Sequence, residues 1–175
     1  MKRGKEREES AIIAEALKNV YGPEFLRQLA GKIQGVWSGF PSESFIRAAT
    51  GDHWEDLELK QRMRSITLAL GAALPPNYED AVNILLAVNE DKECRGFPYL
   101  IFPDFVEVHG LAEEHWDLSM KALEQFTQGS SAEFAVRPFI LRDPERMMRQ
   151  MLMWSGHENE HVRRLASEGC RPRLP

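Results

Sequence analysis

The sequence predicts an all-α protein built from antiparallel helix pairs stacked in a row, an α-α superhelix. Three observations predict it. Apolar residues recur with helical period along nearly every segment, the segments run to 10–18 residues, and the loops between them are only a few residues long. Nothing reads convincingly as a sheet. Periodicity alone does not separate a stack of pairs from a plain helical bundle, and the faint echo between "HWEDLELKQRM" (53–63) and "HWDLSMKAL" (115–123) does not decide between them.

Each element follows from local signals. Residues 10–22 carry a Ser10 cap, apolar Ile13, Leu17 and Val20, and a Gly22 stop. Pro23 opens the next helix, which sets Phe25, Leu26, Leu29 and Ile33 on one side. Ser42 reads as the cap of a short helix over 42–51. A longer one spans 57–75 and is closed by Pro75 and Pro76, and residues 78–89 follow as another. Residues 93–110 are ambiguous, because Pro98 and Pro103 interrupt an aromatic and Val-rich run; the reading is a turn, a short extended piece near 97–102, and a helix from about Pro103. Residues 113–129 form a helix ended by Gly129. Residues 130–141 start at a Ser cap, with Pro138 inside the helix as a kink. Asp143 followed by Pro144 marks the clearest helix start, over 143–154. The last helix is 158–171.

The 175 residues are 43% hydrophobic and 28% charged, the balance of one globular domain with a substantial core. Residues 1–9 are charged, lack an apolar run of the signal-peptide kind, and read as disordered. The longest uncharged apolar run, at 66–74, is too short to span a bilayer, so no membrane partner is expected. Cys94 and Cys170 are isolated, which fits two small core residues in a reducing compartment and a cytoplasmic address. A formal net charge of −5 argues against a nucleic-acid partner, but the charge is uneven. Residues 134–175 hold eight arginines, no lysine and five acidic residues. Arginine suits planar, bidentate contacts to phosphate, although a run of charges is also what a solvated helix face looks like.

His157-Glu158-Asn159-Glu160-His161 matches H-E-x-x-H, the zinc-peptidase pattern. The match does not fit zinc. Ser155-Gly156 sits where the helix should already be under way, Arg164 and Ser167 occupy the positions of a metzincin-like extension, and only fourteen residues remain for a third ligand. No metal and no cofactor is expected. On a wheel of about 100° per residue, Val162, Leu165, Ala166, Gly169 and Cys170 form an apolar stripe. His161, Arg164, Glu168 and Arg171 fall opposite, in a narrow sector. Glu168 between two arginines is either a surface ion-pair ladder or a working carboxylate on a phosphate-attracting face. Glu133 and Arg137, at i and i+4, pose the same choice: a helical ion pair or part of a site.

"SSAEFAVRPFI" followed by "HVRRLASEGCRPRLP" resembles the signature region of the HEAT-like-repeat DNA alkylation repair glycosylases, in particular the AlkC type. The resemblance is specific over the last 45 residues or so, and earlier it rests on helical layout. The N-x-x-V-R-x-x-A pattern beginning at Asn159 also resembles the general HEAT repeat. What the resemblance implies is a HEAT-like solenoid, expected as a monomer, that holds duplex DNA containing alkylated bases and releases N-alkylated purines such as 3-methyladenine. It places Glu133 and Glu168 at the family's acidic active-site positions, Arg164 and Arg171 at its DNA-contacting arginines, with Arg163 and Arg137 as further DNA-binding candidates. Such enzymes resemble those that work without a deep base-flipping pocket, and the sequence carries no signature of one. The family continues past this region with a tryptophan and further repeats. The chain therefore reads as C-terminally truncated relative to the family, a fragment or a natural short form. A HEAT-like binding module that has lost catalysis is the alternative.

Overall fold

The computed structural model describes residues 17–171. The Ser10 cap, Ile13, the N-terminal stretch read as disordered and the four residues after Arg171 lie outside the described residues. Within them the chain is helical throughout and no residue is in a strand.

A 3₁₀ turn at Asn19–Tyr21 leads into α1 (Pro23–Val36), where Pro23 occupies the first turn and loses no bond. The face expected from the sequence, Phe25, Leu26, Leu29 and Ile33, is buried. Next comes α2 (Ser42–Thr50). Ser42 is its first helical residue and not its cap, since Pro41 holds that position and the Ser42 hydroxyl has no partner. Glu58 and Gln61 form a reciprocal capping box on α3 (Leu59–Ala73). The Asn77 side chain accepts from the Asp80 amide at 3.1 Å to start α4 (Tyr78–Asn89).

The ambiguous stretch is not extended: Phe97–Leu100 is a 3₁₀ turn running straight into α5 (Ile101–His109). Pro103 lies in the first turn of α5, where its missing N–H has no helical carbonyl to reach, so both elements are compatible with it. A 3₁₀ turn at Glu113–His115 precedes α6 (Trp116–Phe126). Residues 133–136 are turns, and α7 (Arg137–Arg142) begins only afterwards, with Pro138 in its first turn. Pro138 thus starts a helix and does not kink one. Asp143 caps α8 (Pro144–Ser155), accepting from the Arg146 amide at 3.0 Å. Asn159 caps α9 (Glu160–Glu168), accepting from the His161 amide at 2.9 Å.

The helices pack in two layers. α1, α4 and α6 lie side by side in one, α3 packs on α5 in the other, and α8 packs against both α7 and α9. The buried side chains form one core running from Tyr21 to Ala166. At its end, Val162, Leu165 and Ala166 of α9 are buried, each large aliphatic contributing about 1.5–3 kcal/mol. The predicted stripe continues through buried Gly169 and fails only at Cys170, which is exposed, its thiol turned back to the Ala166 carbonyl at 3.2 Å, while Cys94 is buried. No helix among the described residues is long and apolar enough to cross a membrane.

Candidate active site

The segment between α6 and α7 carries Glu133, and its conformation is set from both sides. Ala132, Ala135 and Val136 are buried, so the residues between them turn outward. The turn closes through Ala135 N–H to the Ala132 carbonyl at 3.0 Å and Arg137 N–H to the Phe134 carbonyl at 3.3 Å. Glu133 therefore projects towards α9, where Arg164 meets it at 3.1 Å. The Glu133 side chain is only 15% exposed and Arg164 is 68% exposed. The i,i+4 pair expected between Glu133 and Arg137 does not form, because Glu133 lies on a turn, outside any helix.

Arg137 turns the other way and donates from Nη2 to the Arg171 carbonyl at 3.1 Å. Arg171 in turn pairs with Glu168 at 3.0 Å. Arg137 thus joins α7 to the end of α9, and of the two carboxylate–arginine pairs only Glu133–Arg164 lines the neighbouring cleft. Gly169 makes the junction possible. A Cβ there would stand 2.7 Å from the Leu165 carbonyl oxygen and 2.9 Å from a Val136 methyl, so only glycine lets the end of α9 approach this closely. Arg163 faces elsewhere: its Nη1 donates to the His157 and Glu158 carbonyls at 2.9 and 2.7 Å, closing the turn before its own helix.

Beside the Glu133–Arg164 pair is an open cleft of about 560 Å³. His161 and Arg164 form one wall, Glu133 sits in the floor, and Arg95 and Gln128 stand opposite. That far side is a clasp of two loops. Gly96 N–H donates to the Gly129 carbonyl at 2.8 Å, Ser130 Oγ donates to the Gly96 carbonyl at 2.8 Å, and Arg95 Nη1 donates to the Gln128 carbonyl at 3.1 Å. Gly96 has φ +82°, a conformation that favours glycine. Sequence reasoning placed His161 on the correct helix face but missed Arg95 and the clasp. The paired glycines were the only available signal.

The two histidines of H-E-x-x-H do not share a helical face. His157 precedes the cap of α9, and its Nδ1 accepts from the Asn159 amide at 2.9 Å. Its Nε2 lies 3.6 Å from Glu124, which also accepts from the Trp154 indole at 2.8 Å. His157 is a turn residue that ties the α8–α9 connection to α6. Among the described residues, no group of three histidines, cysteines or carboxylates is arranged to hold a metal ion.

Stacked helix pairs with an arginine-rich junction and paired carboxylates define a protein of the HEAT-like helical-repeat class. No family model matches the chain. The structure of Pseudomonas fluorescens alkylpurine DNA glycosylase AlkC, bound to DNA containing an abasic-site analogue, superimposes with a TM-score of 0.84 at 38% identity, over 91% of this chain and 43% of that one. An uncharacterized protein of Bacillus subtilis (strain 168), YhaZ, is 47% identical over 159 residues, 91% of this chain and 43% of its own length. The resemblance to the AlkC type thus extends well beyond the signature region, across nine-tenths of the chain. The chain spans less than half the length of either relative.

Proposed function

We propose that the chain is part of a DNA glycosylase that releases N-alkylated purines, such as 3-methyladenine, from duplex DNA, acting as a monomer. One observation carries this reading. In a fold matched by a DNA-bound glycosylase, Glu133 lines an open cleft and pairs with Arg164 of α9, while Glu168 at the end of that helix pairs with Arg171. Alkylation gives the base a positive charge and makes it a good leaving group. The protein's task is to favour the oxocarbenium-like sugar as the base departs with the bonding electrons, and to position the water that attacks the sugar carbon. Carboxylates suit both tasks. Arg164 and Arg171 hold the flanking phosphates, whereas Arg163 and Arg137, both spent on main-chain carbonyls, serve the packing of α9.

The test is single-turnover release of 3-methyladenine from alkylated duplex by the protein, with binding assayed in parallel. Glu168→Ala is expected to slow release by about 10²-fold or more, the range of a positioned catalytic group, while binding holds or improves because a negative charge leaves the DNA surface. Release at the wild-type rate by Glu168→Ala leaves Glu168 as a mere bridge to Arg171. Binding to duplex with no release by the wild type favours a DNA-binding module without chemistry.

A further inference from the structure

Two arginines line the cleft beside Glu133, and their charges are not equally free. Arg164 faces the Glu133 carboxylate at 3.1 Å, so beyond the pair itself the two charges largely cancel. Arg95 stands exposed on the opposite wall, and among the described residues it forms no ion pair. The acidic residues nearest to it in sequence, Asp91 and Glu93, are both held by Lys32. Glu158 and Glu160 share with Arg95 the rim of an outer hollow, yet neither comes within ion-pair distance of it. The uncompensated charge of the cleft therefore sits on Arg95.

The side chain is also held ready. Cys94 before it is buried, and Gly96 after it is tied to the Gly129 carbonyl, so the Arg95 backbone is fixed on both sides. Its Nη1 donates to the Gln128 carbonyl at 3.1 Å. That bond leaves the Nε–Nη2 edge of the guanidinium, two parallel donors that match two oxygens of a phosphate. Arg137 and Arg163 offer no such edge here, since neither lines the cleft.

We propose that Arg95 is a positioning residue and the principal phosphate anchor of this cleft, ahead of Arg164. A phosphate arriving at Arg95 displaces only water, whereas one arriving at Arg164 competes with Glu133 for the same guanidinium. A strand held on the Arg95 wall carries the sugar beside that phosphate over the cleft floor, where Glu133 sits. The role rests on the duplex DNA of the proposed reading and on no step of its chemistry.

The experiment is fluorescence anisotropy of a labelled alkylated duplex, titrated with the protein over a range of salt. Arg95→Ala is expected to weaken binding about tenfold and to flatten the salt slope by about one unit. Arg164→Ala is expected to weaken it by a smaller factor. Arg95→Lys keeps the charge and is expected to restore the slope, which a residue serving only the clasp would not do. The other two clasp bonds do not involve the Arg95 side chain, so both variants are expected to melt as the wild type does. Arg47→Ala, on an exposed site of α2 outside the cleft walls, removes the same charge and is expected to leave the slope unchanged. Replacing single phosphates by neutral methylphosphonates is expected to find one linkage that matters to the wild type and not to Arg95→Ala. A wild-type slope in Arg95→Ala overturns the proposal, as does a larger loss in Arg164→Ala or an equal one in Arg47→Ala. A wild type that binds no duplex overturns it together with the proposed function. Binding that depends on Arg95 without base release would sink the glycosylase reading and leave this assignment standing; release with binding indifferent to Arg95 would do the reverse.

Discussion

At the scale of single residues, the site is a set of charges that already have partners. Arg164 cannot hold a phosphate and Glu133 with equal strength, so DNA binding and the Glu133–Arg164 pair compete. Arg164→Ala is expected to weaken duplex binding about equally for all sequences and to flatten the log–log salt dependence by about one unit. Glu133→Gln is expected to do the opposite, strengthening binding by freeing Arg164 and removing a negative charge, while base release falls. Both are read from binding isotherms over a range of salt. A Glu133→Gln variant that binds more weakly would show that the ion pair builds the DNA surface and does not compete with it. The wheel of α9 put Arg164, Glu168 and Arg171 in one sector, but the helix ends at Glu168, and only Arg171 pairs with that carboxylate while Arg164 pairs with Glu133. What the sequence could not show was the partner of Glu133. An i,i+4 spacing suggests Arg137, but that spacing acts only on a helix, and a link spanning thirty-odd residues leaves no local trace.

At the scale of elements, one helix start capped by a side chain was plainly legible. Asp143-Pro144 announces a helix because the unpaired amides of a first turn need an acceptor and Asp143 supplies one; Asn159 caps α9 in the same way, although the sequence reading started that helix at residue 158. Asp143→Ala is expected to cost about 1 kcal/mol, seen as a lower denaturant midpoint at unchanged slope. Residues 131–136 misled for a physical reason. Ala132, Ala135 and Val136 have the spacing of a buried helix face, but Pro138 has no N–H for the Phe134 carbonyl and its ring would crowd it in an unbroken helix, and tertiary burial of the alanines holds turns instead. The end of α9 is equally dependent on its surroundings. Gly169→Ala is expected to push α9 off Val136, displacing Glu168 and Arg171 together. Base release should then fall although no charged group has changed, with a loss of stability of about 1–3 kcal/mol. Normal release with an intact melting profile would show that the close approach is dispensable.

For the whole molecule, the packing of α3 on α5 encloses titratable groups outside the two carboxylate–arginine pairs. Burial pushes the His109 imidazole below its ordinary value, and the nearby Arg64 charge pushes in the same direction. A depressed histidine is neutral in the fold. Its contribution is complete above the ordinary imidazole value and disappears as pH falls through the lower folded value. His109→Gln should therefore remove part of the acid sensitivity, giving a flatter dependence of Tm on pH below about 6.5. Asp104 acts with the opposite sign: its raised value means that stability is lost as pH rises through it, so Asp104→Asn should flatten the other side of the profile. The all-α class was legible from period and loop length and the solenoid from the resemblance of the last 45 residues or so, whereas the Arg64–Asp104–Glu107 group was not, because charged residues at helical spacing look like a solvated face until a second helix packs on them. The clasp between residues 95–96 and 128–130 carries a different consequence, one for descent. All three of its acceptors are main-chain carbonyls, and one of its donors is a main-chain amide. Substitutions cannot remove those groups, so the spacing of the cleft walls can be inherited while the side chains lining it drift. Lineages sharing this scaffold can then change what the cleft accepts without rebuilding the frame.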